Sequence, residues 1–201
     1  MNLSQIHSLA RVSACIALGD ETRLAQELEL ALQQSISISL IREAILQTYL
    51  FAGYAAAINA FIVLNDMVGP NSEYFSDGDA SLEVWKQRGT EFCRKIYGDQ
   101  FDRLLGNMKR LHPDLADWMV WEGYGKVLSR PFLSPRIREL LIVAMTAALQ
   151  VERQFYSHVR GAIHVGATSG ELRSVFEQVV PFMGEGAVTT FQKILDDLAM
   201  E

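Results

Sequence analysis

The sequence predicts an all-α protein, a helical bundle built from two similar helical repeats. Three observations support this fold class. Apolar residues recur at intervals of three and four residues along most of the chain, as they do on the buried side of an amphipathic helix. Glycine, proline and capping residues separate these segments. The pattern of helices, caps and breaks near the N-terminus also recurs near the C-terminus.

Four amphipathic segments precede residue 69, and they cover residues 9–18, 22–34, 37–53 and 55–64. Ser37 is placed to cap the third segment, because a serine side chain accepts a hydrogen bond from an early backbone amide of the helix that follows. Gly53 separates the third segment from the fourth, since glycine punctuates helices. Residues 1–68 therefore predict an N-terminal helical repeat.

The third and fourth segments are also apolar enough to suggest a membrane helix. Residues 44–65 contain no charged side chain, and about 20 apolar residues are enough to cross a bilayer. The same run contains the polar residues Gln47 and Asn59 and is interrupted by Gly53. We therefore expect two shorter buried helices here, and no membrane partner.

Residues 69–79, with the sequence GPNSEYFSDGD, predict a linker or an exposed loop, because they are rich in Gly, Asp and Ser. They divide the chain into the N-terminal repeat, 1–68, and a C-terminal domain, 80–201. Stripes of apolar residues predict the first helices of that domain, at 85–96, 101–108 and 114–128.

The core of the C-terminal domain, 138–195, matches the N-terminal repeat when the two are aligned at an offset of 131 residues. The caps and glycine breaks of the two copies coincide. The alignment is asymmetric at two positions, because His158 corresponds to Glu27 and Glu139 corresponds to Ser8. Only the C-terminal copy therefore carries the parts of an acid/base site.

Composition and charge exclude several functions. A net charge of -6 and a pI near 5.3 argue against nucleic acid as a partner, since phosphate binding depends on clustered Lys and Arg. Cys15 and Cys93 fit no zinc motif, so we expect two buried or half-buried thiols and no metal. A mean hydropathy of +0.10 predicts a homo-oligomer that covers apolar surface. The N-terminus lacks the pattern of a secretory signal, so we expect a cytoplasmic protein.

Glu139 and His158 form the acid/base candidate. Glu139 lies near the start of one amphipathic segment and His158 near the start of the next, so a short reversal at 149–151 can bring their side chains together. A neighbouring carboxylate fixes the tautomer of a histidine that acts as an acid or base. The alternatives are a structural histidine, and a carboxylate favoured by the dipole of the helix start.

Three further residues are candidates for substrate binding. Arg153 and Arg160 lie close to His158 in the sequence and could hold an acidic substrate, because a guanidinium binds a carboxylate in a bidentate way. Tyr124 could form part of a pocket wall. Each has a structural alternative, a solvated or intersubunit charge for the two arginines and a core aromatic for the tyrosine.

Three segments carry a resemblance to a known family: RGTEFCRKIYGD at 88–99, YGKVLSRPFLSPRIRELL at 124–141 and HVRGAIHVGATSGELR at 158–173. They resemble the carboxymuconolactone decarboxylase family, which also includes the alkylhydroperoxidase AhpD-like proteins. The resemblance implies an AhpD-like helical bundle, here with two fused copies, whose sites are buried between helices.

The AhpD-like branch of this family uses a CxxC pair followed four residues later by His, together with a Glu on the preceding helix. The matching positions here are Val151, Gln154, His158 and Glu139, so the acid/base half is present and both thiols are missing. Neither Val nor Gln can replace a thiolate nucleophile. An antioxidant protein of the alkylhydroperoxidase or peroxiredoxin type is therefore the alternative and not the leading hypothesis.

The decarboxylase branch also lacks the thiol pair and keeps the His. The resemblance implies a cofactor-free lyase that acts on a small carboxylated lactone or a related acid. On this hypothesis His158 handles the proton, Glu139 orients it and Arg160 holds a carboxylate of the substrate. A non-catalytic scaffold with the same fold is a further alternative.

Overall fold

The computed structural model describes residues 1–70, 73–78 and 80–198. Within these ranges all regular structure is helical, so the predicted all-α class is confirmed. A π-helix, Met119–Leu128, follows the sixth of ten α-helices. The α-helices are α1 Leu3–Leu18, α2 Glu21–Gln33, α3 Ile38–Val68, α4 Leu82–Tyr97, α5 Phe101–Leu111, α6 Pro113–Trp118, α7 Pro135–Ala148, α8 Glu152–His164, α9 Ser169–Val179 and α10 Glu185–Leu198.

The first helix begins earlier than its apolar stripe predicts. The Asn2 side chain accepts a hydrogen bond from the Gln5 backbone amide at 3.0 Å, and the Gln5 side chain accepts one from the Asn2 amide at 3.2 Å. This reciprocal capping box satisfies two amides that the helix leaves without partners. It therefore extends α1 by two turns before the apolar stripe starts.

The helix α3 contains the predicted third and fourth segments. Ser37 caps its start, as predicted, and Gly53 interrupts it with φ 87° and ψ 165°. Only glycine adopts such a positive φ without strain. By length and composition α3 qualifies as a candidate membrane span. The break leaves two helical halves that are each shorter than the roughly 20 residues a span requires.

The second half of α3 differs from the expectation of two buried helices. Its apolar side chains Tyr54, Ile58 and Ile62 are more than half exposed. They repeat every fourth residue and therefore share one face of the helix. These three side chains are exposed because none of the described elements covers this face of the helix. An apolar sequence alone does not distinguish a core helix from one with an unpartnered face.

Helices from both ends of the chain share the main apolar core. Buried residues of α1, α2 and both halves of α3 pack with those of α7, α8, α9 and α10. A second cluster lies between α4 and the π-helix. The helix α7 is buried from Ile137 to Ala148 and contributes to both clusters. It is therefore the central element of the bundle.

The predicted connection at 69–79 contains no helix at its described positions, 69–70 and 73–78. Positions 71, 72 and 79 lie outside the described residues, as do 199–201 of the predicted C-terminal domain. The division into an N-terminal repeat and a C-terminal domain stays a prediction.

The predicted helix at 114–128 is α6 followed by the π-helix, a distinction for which the sequence carries no signal. The π-helix packs against α4 at two glycines. A Cβ on Gly89 would lie 1.9 Å from the carbonyl oxygen of Val120, and one on Gly125 would lie 1.9 Å from that of Trp85. Only glycine permits this backbone-to-backbone approach. These two positions fix how closely α4 lies to the π-helix.

We expect Gly125→Ala to lower the free energy of unfolding by about 1–3 kcal/mol, because the new methyl group forces the two backbones apart. Gly123→Ala is the matched control, since a Cβ at Gly123 meets no atom within 4 Å. Urea unfolding followed by circular dichroism measures both variants. Equal midpoints for the two alanine variants would contradict the close packing of α4 on the π-helix.

Candidate functional site

A tight reversal between α7 and α8 brings Glu139 and His158 together. Gln150 adopts φ 56° in this turn. The Nδ1 atom of His158 lies 2.8 Å from Oε2 of Glu139. Glu139 is 1% exposed and His158 is 7% exposed. A carboxylate accepts and cannot donate, so Nδ1–H donates to Glu139 and Nε2 carries the lone pair of the neutral ring. No described residue binds Nε2.

The immediate surroundings of the pair are tightly packed. A Cβ on Gly161 would lie 2.9 Å from Oε2 of Glu139, so glycine leaves the room that the carboxylate occupies. The ring of Phe51 meets the His158 ring edge to face, with 5.5 Å between the centroids. The second carboxylate oxygen of Glu139, Oε1, is buried without a hydrogen-bond partner among the described residues.

Two tyrosines extend the site toward α4 and the π-helix. The hydroxyl of Tyr97 forms a short hydrogen bond with the hydroxyl of Tyr124. Burial raises the pKa of both phenols well above their usual range, and the negative charge of Glu139 raises the pKa further. Both tyrosines therefore stay protonated at neutral pH and act as hydrogen-bond donors.

A pocket of about 370 Å³ adjoins this cluster between α4, α5 and α8. Tyr97, Ser157 and Gly161 line it on the side nearest to Glu139. Arg160 also lines it, and no Asp or Glu does among the residues that the structure describes. His158 is not among these lining residues, although it follows Ser157 in the sequence.

The predicted substrate residues fall in three different places. Arg160 lies at the pocket and places its guanidinium 5.9 Å from the centre of the Tyr156 ring. Tyr124 is 4% exposed, does not line the pocket and is hydrogen-bonded to Tyr97. Arg153 is exposed on the first turn of α8, away from the pocket lining.

The sequence analysis missed Tyr97, Cys93 and Ser157 as members of this cluster. Cys93 and Tyr97 lie four residues apart on α4, so they project from the same face of that helix. They also lie within 88–99, one of the three segments of the family resemblance. This spacing of four residues is the sequence signal from which a shared position of Cys93 and Tyr97 could have been predicted.

Among the described residues, no group of three or more His, Cys, Asp or Glu side chains is arranged to hold a metal ion. The cluster contains one carboxylate, one imidazole, the buried thiol of Cys93 and hydroxyl groups. Its chemical capacity is to hold and move a proton and to donate hydrogen bonds.

Comparison with known proteins identifies the family. Peroxisomal protein 2 of Schizosaccharomyces pombe is 30% identical over 172 residues, which are 84% of this chain and 80% of that protein. Residues 113–197 match the carboxymuconolactone decarboxylase family. The chain belongs to this family. 4-Carboxymuconolactone decarboxylase of Acinetobacter baylyi is 28% identical over 90 residues, 44% of this chain and 67% of that enzyme. The family match includes both Glu139 and His158.

The two thiols of this family member lie in the core. Cys15 and Cys93 are both fully buried. Burial, with a contribution from Glu27, raises the pKa of Cys15 to about 12. Burial and then the charge of Glu139 raise the pKa of Cys93 well above its usual range. Thiolate is the reactive form, so neither cysteine is prepared to attack a peroxide.

We expect neither cysteine to react with a thiol reagent such as dithionitrobenzoate in the native protein at pH 7.5, because both thiols are buried and protonated. In urea both should react, which serves as the control for reagent activity. A native thiol that disappears when peroxide is added, with turnover, would instead support the antioxidant alternative.

Proposed function

We propose that the protein is a cofactor-free lyase that decarboxylates a small carboxylated lactone or a related acid. The observation that carries this proposal is the pairing of His158 with Glu139 at 2.8 Å, which leaves Nε2 of the ring available for a proton. Membership of the carboxymuconolactone decarboxylase family supports the same class of reaction.

In the proposed reaction the bond between the lactone and its carboxylate carbon breaks, and CO₂ leaves. The electron pair of that bond is delocalised into the conjugated lactone carbonyl, and a proton then returns to carbon. Nε2 of His158 first takes up a proton from solvent. The resulting imidazolium gives that proton to carbon, directly or through one bridging water, and returns to the neutral ring. The buried carboxylate of Glu139 holds Nδ1–H and stabilises the imidazolium form.

Arg160 binds a carboxylate of the substrate at the mouth of the pocket. Its position in the lining, beside Ser157 and Gly161, supports this role. Arg153 is exposed on the first turn of the same helix, outside the lining, and its proposed role is the weaker of the two.

We expect Glu139→Gln and His158→Gln each to lower kcat for CO₂ release from 4-carboxymuconolactone by roughly 10²–10⁴-fold, the usual contribution of a positioned acid or base. Glu152→Gln, an exposed change on the same helix as His158, is the matched control. Thermal unfolding verifies that each variant is folded. Turnover that is equal in all four proteins, or absent from the wild type, would favour a non-catalytic scaffold.

The name of the Schizosaccharomyces pombe relative suggests a cellular location for this protein. Peroxisomal protein 2 is similar to this chain over most of its length. We propose an organellar location, a peroxisome, as the alternative to the cytoplasm that the sequence analysis expects.

A homo-oligomer is part of the proposal. Tyr54, Ile58 and Ile62 form an exposed apolar stripe on α3. The positions 131 residues later are Glu185, Thr189 and Lys193, which are exposed and polar on α10. The stripe on α3 therefore has the apolar character of a subunit contact, and the equivalent face of α10 has the polar character of a solvated surface.

We expect the double variant Ile58→Lys, Ile62→Lys to lower the molar mass measured by light scattering during gel filtration, because two charges at a desolvated contact oppose association. Thr189→Lys, at the position equivalent to Ile58, is the matched control and should leave the mass unchanged. A wild-type monomer, or an unaltered mass in the double variant, would contradict the proposed contact.

We also propose that the two repeats arose by duplication. Moving the bounds of α2 by 131 residues gives those of α8. The contacts between repeats are reciprocal, since Arg138 binds Glu43, and the equivalent residues, His7 and Ser174, bind each other. Two copies related by a pseudo-twofold axis would give this reciprocity.

The N-terminal counterpart of the site is closed by an ion pair. Arg11 donates from Nε to Glu27, at the position of His158, with a distance of 2.7 Å. It also donates to Ser8, at the position of Glu139, with a distance of 3.3 Å. These contacts support the proposal that acid/base chemistry belongs to the C-terminal copy.

A further inference from the structure

The pocket between α4, α5 and α8 is lined by basic side chains and, among the described residues, by no acidic one. Arg103, Arg160 and His164 line it, together with hydroxyl and amide side chains, and no carboxylate does among the described residues. The whole chain carries a net charge of -6. A cationic concavity in an acidic protein favours small anions over the surrounding surface.

The two arginines of the pocket are not neutralised by the protein. In the part of the chain that the structure describes, neither Arg103 nor Arg160 forms an ion pair, whereas Arg94 on the adjacent helix pairs with Asp102. A guanidinium without a carboxylate partner is available to bind one from a ligand.

The imidazole of His164 lies beside a glycine. Gly98 adopts φ 53°, and a Cβ there would lie 3.0 Å from the His164 ring. The absence of a side chain at Gly98 therefore leaves space for the His164 ring beside the pocket. The two arginines and the imidazole come from α5 and α8, so they line the pocket from two of its sides.

The pocket lining includes Tyr97, whose hydroxyl group is a hydrogen-bond donor. Tyr124 is buried, and Tyr97 is its hydrogen-bond partner among the described residues. A buried hydroxyl proton without an acceptor is costly, so Tyr124 donates to the Tyr97 oxygen. The hydroxyl proton of Tyr97 is then left for another acceptor. Ser157, which interacts with Tyr97, also lines the pocket.

We propose that Tyr97 is a catalytic residue that contacts the ligand, and that Arg103, Arg160 and His164 bind the anionic groups of that ligand. This inference rests on the proposed decarboxylation. The Tyr97 hydroxyl donates a hydrogen bond to the carbonyl oxygen on which negative charge develops as CO₂ leaves, and it keeps its own proton. The ligand is a small dicarboxylate with one conjugated ring, a size that suits a pocket of about 370 Å³.

Binding is tested first, with succinate as a probe that cannot react. We expect Arg103→Gln and Arg160→Gln each to raise the Kd for succinate by roughly tenfold or more, the effect of one lost charge-assisted hydrogen bond. Arg94→Gln, which removes an arginine outside the lining, is the matched control. Equal Kd values in all the variants and the wild type, or no succinate binding, would overturn the anion site.

Turnover tests the role of Tyr97. We expect Tyr97→Phe to lower kcat for 4-carboxymuconolactone by roughly 10²-fold with little change in KM, because the lost hydrogen bond forms mainly in the transition state. Tyr49→Phe, which removes a half-buried hydroxyl bound to Glu122, is the matched control. Unchanged kcat in Tyr97→Phe would overturn the role of Tyr97.

The two proposals fail in distinguishable ways. If succinate binding depends on the arginines but no lactone is decarboxylated, the proposed function fails and the anion site stands. In that case Tyr97 is tested by binding, and a Kd for succinate that is identical in Tyr97→Phe and the wild type would overturn its contact with the ligand. If Glu139→Gln abolishes turnover while the arginine and tyrosine variants keep it, the proposed function stands and this inference fails.

Discussion

The buried ion pair between Glu43 and Arg138 is the constraint on which the rest of the structure depends. Glu43 is 3% exposed and Arg138 is fully buried. Arg138 donates to Glu43 at 3.0 Å and to Gln47 at 3.2 Å, and Arg130 donates to Glu43 at 2.6 Å. Each buried charge requires its partner, so this network fixes α7 against α3. Glu139 follows Arg138 and lies roughly 100° further around α7. Because the contacts of Arg138 fix how α7 is rotated about its axis, they also orient Glu139 toward α8.

The parts of the site that the sequence could predict are those that lie close together along the chain. Glu139 and His158 occupy consecutive helices joined by a short turn, so local patterns were enough to suggest their contact. The all-α class is confirmed for the same reason, since apolar spacing and caps are local signals. Tyr97 reaches the cluster through the packing of α4 on the π-helix and on α8, and the contacts of α4 at Gly89, Gly125 and Gly161 are not encoded in any periodicity.

The outer surface shows a second limit of sequence reasoning. Residues 54–68 are apolar in composition, and composition alone favoured burial. The structure buries Ala60 and Leu64 of this segment in the main core and turns three of its large side chains outward from the opposite face. A helix face can be apolar because it meets another subunit as well as because it meets its own core. Only packing distinguishes the two cases.

The unpartnered oxygen Oε1 of Glu139 has an evolutionary consequence. A buried acceptor without a hydrogen bond costs about 1–3 kcal/mol relative to one that is satisfied. Exchanging this carboxylate alone for an apolar side chain would leave the buried Nδ1–H of His158 without its acceptor, so a gain in stability requires both residues to change together. Under selection for stability alone, Glu139 and His158 would therefore be expected to change as a pair.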